Sequence, residues 1–179
     1  MRAVTFVLLL GALPAQSWSV TPFGSGCWDL QPAWNPNPVT TTSGQATPGF
    51  TLTLNYGGPT AYNAGTGPVF YEYRPALILG LSNQVTGGVP LPWTLPAVLT
   101  RAPCQLLVSA DVIEFMNPVN PASYASSFAL PIPNNPQLIG LTFFAQWSVF
   151  NNTFPISPIL GPPGTVISTS EALAITIGL

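Results

Sequence analysis

Between Leu138 and Phe150 the apolar side chains fall on every second residue: Ile139, Leu141, Phe143, Ala145, Trp147 and Val149 share one parity. A period of two belongs to extended backbone, because successive side chains of a strand point to opposite faces. An uninterrupted apolar face of that length must be buried against another layer. This chain is therefore expected to build at least one sheet with a second layer packed on it.

Other segments repeat the pattern. Phe50, Leu52, Leu54 and Tyr56 alternate with Thr51, Thr53 and Asn55, the signature of a half-buried strand with a solvated outer face. Gly57-Gly58-Pro59 closes it, and two short strands are expected at Val69–Tyr73 and Ala76–Leu81, interrupted by Pro75. Glu72 and Arg74 share a face there and read as a surface ion pair of little energetic weight. Cys104 leads a strand in which Leu106, Val108 and Ala110 share its face, and the last strand turns Leu173, Ile175 and Ile177 inward. No segment combines helical periodicity, caps and length. Short strands separated by Gly/Pro turns, such as Gly87-Gly88-Val89-Pro90 and Pro131 to Pro136, predict an all-β chain. Its expected form is a single antiparallel β-sandwich or jelly-roll-like domain.

The N-terminus reads differently. Met1 and Arg2 precede an apolar run from Ala3 to Leu13, Pro14 breaks it, and Ala15-Gln16-Ser17 offers the small residues a signal peptidase accepts. We expect a signal peptide at 1–17, a Pro/Asn/Thr-rich extended segment at 18–48 with one short edge strand, and the β-sandwich domain at 49–179. The apolar run is too short to serve as a stable membrane anchor, and no later segment reaches the roughly 20 apolar residues a span requires. The product is expected to be secreted or held at the cell surface.

Charge is nearly absent. Only 4% of the residues are charged, and the chain has no lysine or histidine. Without the leader, Arg74 and Arg101 stand against Asp29, Glu72, Asp111, Glu114 and Glu171. Such a surface cannot neutralise phosphates, which argues against nucleic acid and anionic membranes as partners. Two cysteines in an exported chain, Cys27 and Cys104, predict one disulfide.

The same poverty excludes most chemistry. Without histidine there is no Ser-His-Asp or Cys-His device and no imidazole metal ligand, and without lysine no Schiff base. No glycine-rich loop precedes a helix, so no cofactor is expected. Carboxylates remain for an acid-pair glycoside hydrolase. The closest pair, Asp111 and Glu114, has an odd separation that sends the two to opposite faces of a strand. No Asp-rich loop resembles a calcium site, and no metal site is assigned.

Aromatic residues are the last candidates. Trp147 belongs to the core, whereas Trp28, Trp34 and Trp93 lie beside prolines or turns and are the residues able to form a platform that stacks on sugar rings. Packing beneath loops is their ordinary alternative.

Three segments carry a resemblance: Pro103-Cys104-Gln105-Leu106-Leu107-Val108-Ser109-Ala110-Asp111, the Ile132–Gln146 stretch beginning Ile132-Pro133-Asn134-Asn135-Pro136, and Ser170-Glu171-Ala172-Leu173-Ala174-Ile175-Thr176-Ile177-Gly178. Together they resemble uncharacterised secreted bacterial β-domain proteins, over residues 103 to 178. Glu171 departs from the asparagine of that closing pattern. The resemblance implies a secreted β-domain and brings no activity or catalytic residues with it. The expected function is a non-enzymatic extracellular domain with a structural or surface-interaction role, its partner a glycan or another surface protein. A carbohydrate-binding module is the alternative and an acid-pair hydrolase the third reading.

Overall fold

The computed structural model describes residues 17–27, 39–57, 71–97, 99–100, 103–117, 125–153 and 164–179. Within them the extended runs become β1 (Ser19–Phe23), β2 (Val39–Gly44), β3 (Thr51–Gly57), β4 (Tyr71–Gly80), β5 (Val85–Thr86), β6 (Val89–Pro90), β7 (Trp93–Thr94), β8 (Gln105–Leu106), β9 (Val112–Phe115), β10 (Ala125–Pro131), β11 (Thr142–Thr153) and β12 (Gly164–Thr176). One 3₁₀ turn, Pro136–Leu138, is capped by the Asn135 side chain. The larger sheet has the order β1-β12-β11-β4-β9 and the smaller β10-β3-β2. Both are antiparallel.

The two sheets face each other across one core. Leu52, Leu54 and Tyr56 of β3 meet Leu77 of β4, Ala145, Trp147 and Val149 of β11, and Leu173 and Ile175 of β12, all buried. The alternation in 50–56 and 143–149 thus selects the inner faces, as expected for an all-β sandwich. Phe50 lies just before β3 and is exposed, and Phe143 is only partly buried. Trp18 and Val20 pack on this core from the margin.

Several strand limits differ from expectation, each for a physical reason. The strand expected from Leu138 begins only at Thr142, because Asn135 and Pro136 set up the 3₁₀ turn, and Leu141 is exposed. The two short strands around Pro75 are one strand, β4. Residues of an antiparallel strand direct their N–H and C=O to the same neighbour. The Pro75 carbonyl accepts from Met116 N at 2.9 Å, just past the end of β9, so the missing N–H faces the terminal position of that edge pairing and costs β11 nothing. The strand led by Cys104 is short. Only Gln105 and Leu106 pair, Leu107 and Val108 are both buried, and Ala110 is exposed. The 18–48 segment contributes two edge strands rather than one, β1 on the larger sheet and β2 on the smaller.

The outer face of the larger sheet is covered as well. Between β4 and β9 the chain makes a long excursion, residues 81–111, whose Leu106, Leu107 and Val108 bury against Ile78 and Ala172, with Phe23, Leu91, Leu95 and Phe144 at the margin. Its neck is tight. Ser109 N donates to Ser82 O at 2.7 Å, Ser82 N to Ser109 Oγ at 3.0 Å, and Leu81 N to Asp111 Oδ2 at 2.7 Å. A Cβ on Gly80 would run into the Ser109 carbonyl and hydroxyl oxygens, so this crossing requires glycine.

One buried side chain fastens the excursion to the sheet. Gln146, fully buried on the outer face of β11, donates through Nε2 to Gln105 O at 3.0 Å and Ser170 O at 2.9 Å, and its Oε1 accepts from Leu107 N at 2.9 Å. Replacing it with leucine preserves bulk but strands three backbone groups away from water. Gln146→Leu is expected to cost about 2–3 kcal/mol, read as a lower denaturation midpoint, with early amide exchange at Leu107.

Candidate interaction surface

Among the described residues no group of three or more His, Cys, Asp or Glu side chains is placed to hold a metal ion. Asp111 and Glu114, the closest acids in sequence, are separated by the start of β9. Asp111 precedes the strand and its Oδ2 also accepts from Ser109 Oγ at 2.9 Å, so it serves the neck of the excursion. Glu114 sits within β9, opposite Leu77.

Cys27 and Cys104 are bonded, with their Cα atoms 5.1 Å apart. Cys27 lies beside β12, its N donating to Thr169 O at 2.7 Å. Cys104 O accepts from Leu95 N at 2.9 Å within the excursion. The disulfide thus ties the tail of β1 to the outer cover of the larger sheet. Among the described residues no helix is long and apolar enough to cross a membrane.

A β-bulge lies at the middle of this region. Gln146 pairs with Ala172 and Ser148 with Thr169, so Ser170 and Glu171 of β12 together oppose Trp147. The extra residue turns the Ser170 hydroxyl toward Trp147 N, from which it accepts at 3.0 Å, and Thr40 Oγ1 of β2 donates to it at 2.8 Å. Glu171 contributes its carbonyl, which accepts from Thr40 Oγ1 at 3.3 Å. This polar seam joins the two sheets. The departure at Glu171 falls within it, in the bulge.

Two core groups stay unpaired. Tyr56 OH and Trp147 Nε1 have no hydrogen-bond partner among the described residues, although their rings pack 5.9 Å apart. Burial alone pushes the Tyr56 phenol far above its ordinary 10.0. A folded-state value above the unfolded one leaves stability intact below the unfolded pKa and erodes it above. Stability should therefore fall as pH rises past about 10, because the unfolded chain ionises while the folded one does not. Tyr56→Phe is expected to flatten the alkaline limb of a stability–pH curve, and the wild-type phenol to titrate only as the protein unfolds.

Of the three candidate platform residues, Trp28 and Trp34 lie outside the described residues. Trp93 stands in β7, paired with Leu106, at 41% exposure. It lies on the excursion, between the partly buried Leu91 and Leu95.

A surface the sequence reading did not single out is β9. All four of its residues are exposed, Val112 by 52%, Ile113 by 47% and Phe115 by 59%. The smaller sheet has three strands against five, its β2 reaches β12 through Thr40, and no residue of β9 belongs to the shared core, although Met116 directly after it packs there. The apolar cluster of the outer cover packs on β4, β11 and β12 and, among the described residues, includes none of β9. The available signal was the run Val112-Ile113-Glu114-Phe115, which lies beside acids that drew attention for catalysis instead.

Comparison with family models, with curated proteins and with solved structures returns no match.

Proposed function

We propose that this chain is a non-enzymatic domain, exported to the cell surface or the medium, with a structural or surface-interaction role. The observation that carries the reading is β9, an apolar strand exposed on both faces in a chain that has neither histidine nor lysine. Exposed apolar area of this kind marks interaction surfaces more often than chance. The Cys27–Cys104 bond and the leader-like residues 1–17 support an oxidising destination. Membership of the secreted bacterial β-domain group rests on the three motif segments and is part of the same proposal.

Carbohydrate binding is the second reading, favoured by the exposure of Trp93. A glycan array probed with the purified chain, with released sugar measured in parallel, separates the readings. The expected result is neither binding nor turnover. Binding lost in Trp93→Ala would establish a carbohydrate module, and turnover a hydrolase. Export is checked by mass spectrometry of the released product, expected to begin near Trp18.

A further inference from the structure

We propose that the edge of β9 facing away from β4, unpaired among the described residues, docks one extended strand of a partner protein, antiparallel, with apolar residues opposite Ile113 and Phe115 and a lysine or arginine opposite Glu114. This deepens the interaction reading above and rests on it.

The backbone sets the register. Met116 N donates to Pro75 O, so the alternation along β9 turns Glu114 and Val112 toward β4 and the N–H and C=O groups of Ile113 and Phe115 outward. An arriving strand therefore finds two outward residues, each offering one donor and one acceptor. Of the other described edges, β1 carries Pro22 and β10 ends at Pro131, devices that discourage pairing, while β2 offers polar threonine and serine side chains and no apolar strip. β9 has neither proline nor lysine.

The faces then set the chemistry. Residues directly opposite in adjacent strands share a face, and opposite charges there stabilise while like charges destabilise. Ile113 and Phe115 lie on the outer face, where Phe115 already packs on Phe150 with ring centroids 5.6 Å apart. Side chains opposite them complete an apolar strip. Glu114 lies on the other face and calls for a cation.

A second copy of this chain fits poorly. A two-fold pairing that uses both outward residues sets Ile113 against Phe115 of the copy, and it forces Glu114 against Glu114. The two other symmetric registers, centred on Ile113 and on Phe115, keep only one outward residue of each copy paired within β9, because they set Phe115 opposite Asp111 or Ile113 opposite Asn117. The chain has no lysine, Arg74 lies in the interior strand β4, Arg101 lies outside the described residues, and none of the described edge strands carries a cation. The required cation comes from a different protein.

The test titrates the disulfide-bonded, isotope-labelled chain with a seven-residue peptide centred on Val-Lys-Val, and with the same peptide carrying Glu for Lys. The expected result is amide shifts at Ile113 and Phe115, with half-saturation about two- to thirtyfold lower for the lysine peptide. Glu114→Lys should reverse that preference, and Ile113→Pro, which removes an outward donor, should abolish the response. Equal response to both peptides, no response, or a response unchanged in Ile113→Pro would overturn the proposal. Concentration-dependent dimers dissolved by Ile113→Pro would do so too, assigning the edge to a second copy. The readout at β9 is independent of glycan binding or turnover, so its failure is distinct from failure of the broader functional reading.

Discussion

Trp147→Ala is expected to lower stability by about 3–5 kcal/mol, the range for removing a large aromatic side chain from a packed core. Trp147 is fully buried, contacts Tyr56 across the sheets, and sits where the β12 bulge and the polar seam meet. A domain of this size loses about 2–4 °C of melting temperature per kcal/mol, so the midpoint should drop by about 6–20 °C. Calorimetry or a denaturant titration checks it. Trp147→Phe separates packing from polarity. It keeps a ring and removes an indole N–H that has no partner, so its cost should be well under half that of alanine. Equal costs for the two would place the energy in the indole nitrogen. Phe143→Ala, at a partly buried site nearer the sheet margin, should cost less than Trp147→Ala.

Reduction of Cys27–Cys104 is expected to have an effect of the same order. The two residues are 77 apart in sequence, and restoring the freedom of that loop to the unfolded chain costs about 4–5 kcal/mol in the chain-entropy account. This is a large part of the stability of an ordinary domain. The loss should be uneven. Cys27 retains its backbone bond to Thr169, whereas Cys104 belongs to an excursion that otherwise depends on Gln146, the Ile167 N to Leu99 O bond and its apolar underside. Hydrogen exchange after reduction should therefore accelerate first around Leu95 and residues 103–108. Unchanged exchange there with a large fall in melting temperature would mean that the bond acts on the unfolded chain alone.

The inner faces were legible from sequence because each is a local pattern. Leu52, Leu54 and Tyr56 alternate with polar residues, and Ala145, Trp147 and Val149 continue a period of two. The cysteine pair was legible from number alone. What escaped depends on distant contacts. Nothing near Gln146 announces that residues 105 and 107 will return to bond it. Phe144 and Ala172 look like solvent-side positions until the excursion covers them. The bulge at Ser170 and Glu171 shifts the phase of β12 midway, and each half alternates correctly on its own. Pro75 reads as a strand break because local rules cannot know that β9 stops beside it. For the candidate surface, the alternation that identifies strands says nothing of which strand lies at an edge. Val112-Ile113-Glu114-Phe115 becomes informative only once the sheet order places it at an edge, with its side chains exposed.

The pairing of β1 with β12 also orders events in time. Ser19 sits opposite Thr176 and Phe23 opposite Ala172, so β1 leaves the ribosome well before β12, the strand it pairs with. Until β12 is made, β1 and β11 each lack the neighbour that it supplies. Pairings so distant along the chain are entropically expensive to close and form slowly. The smaller sheet, by contrast, is complete once β10 has appeared. A chain cut before β12 would present the inner face of β11 half-lined, and its larger sheet would begin at what should have been the middle.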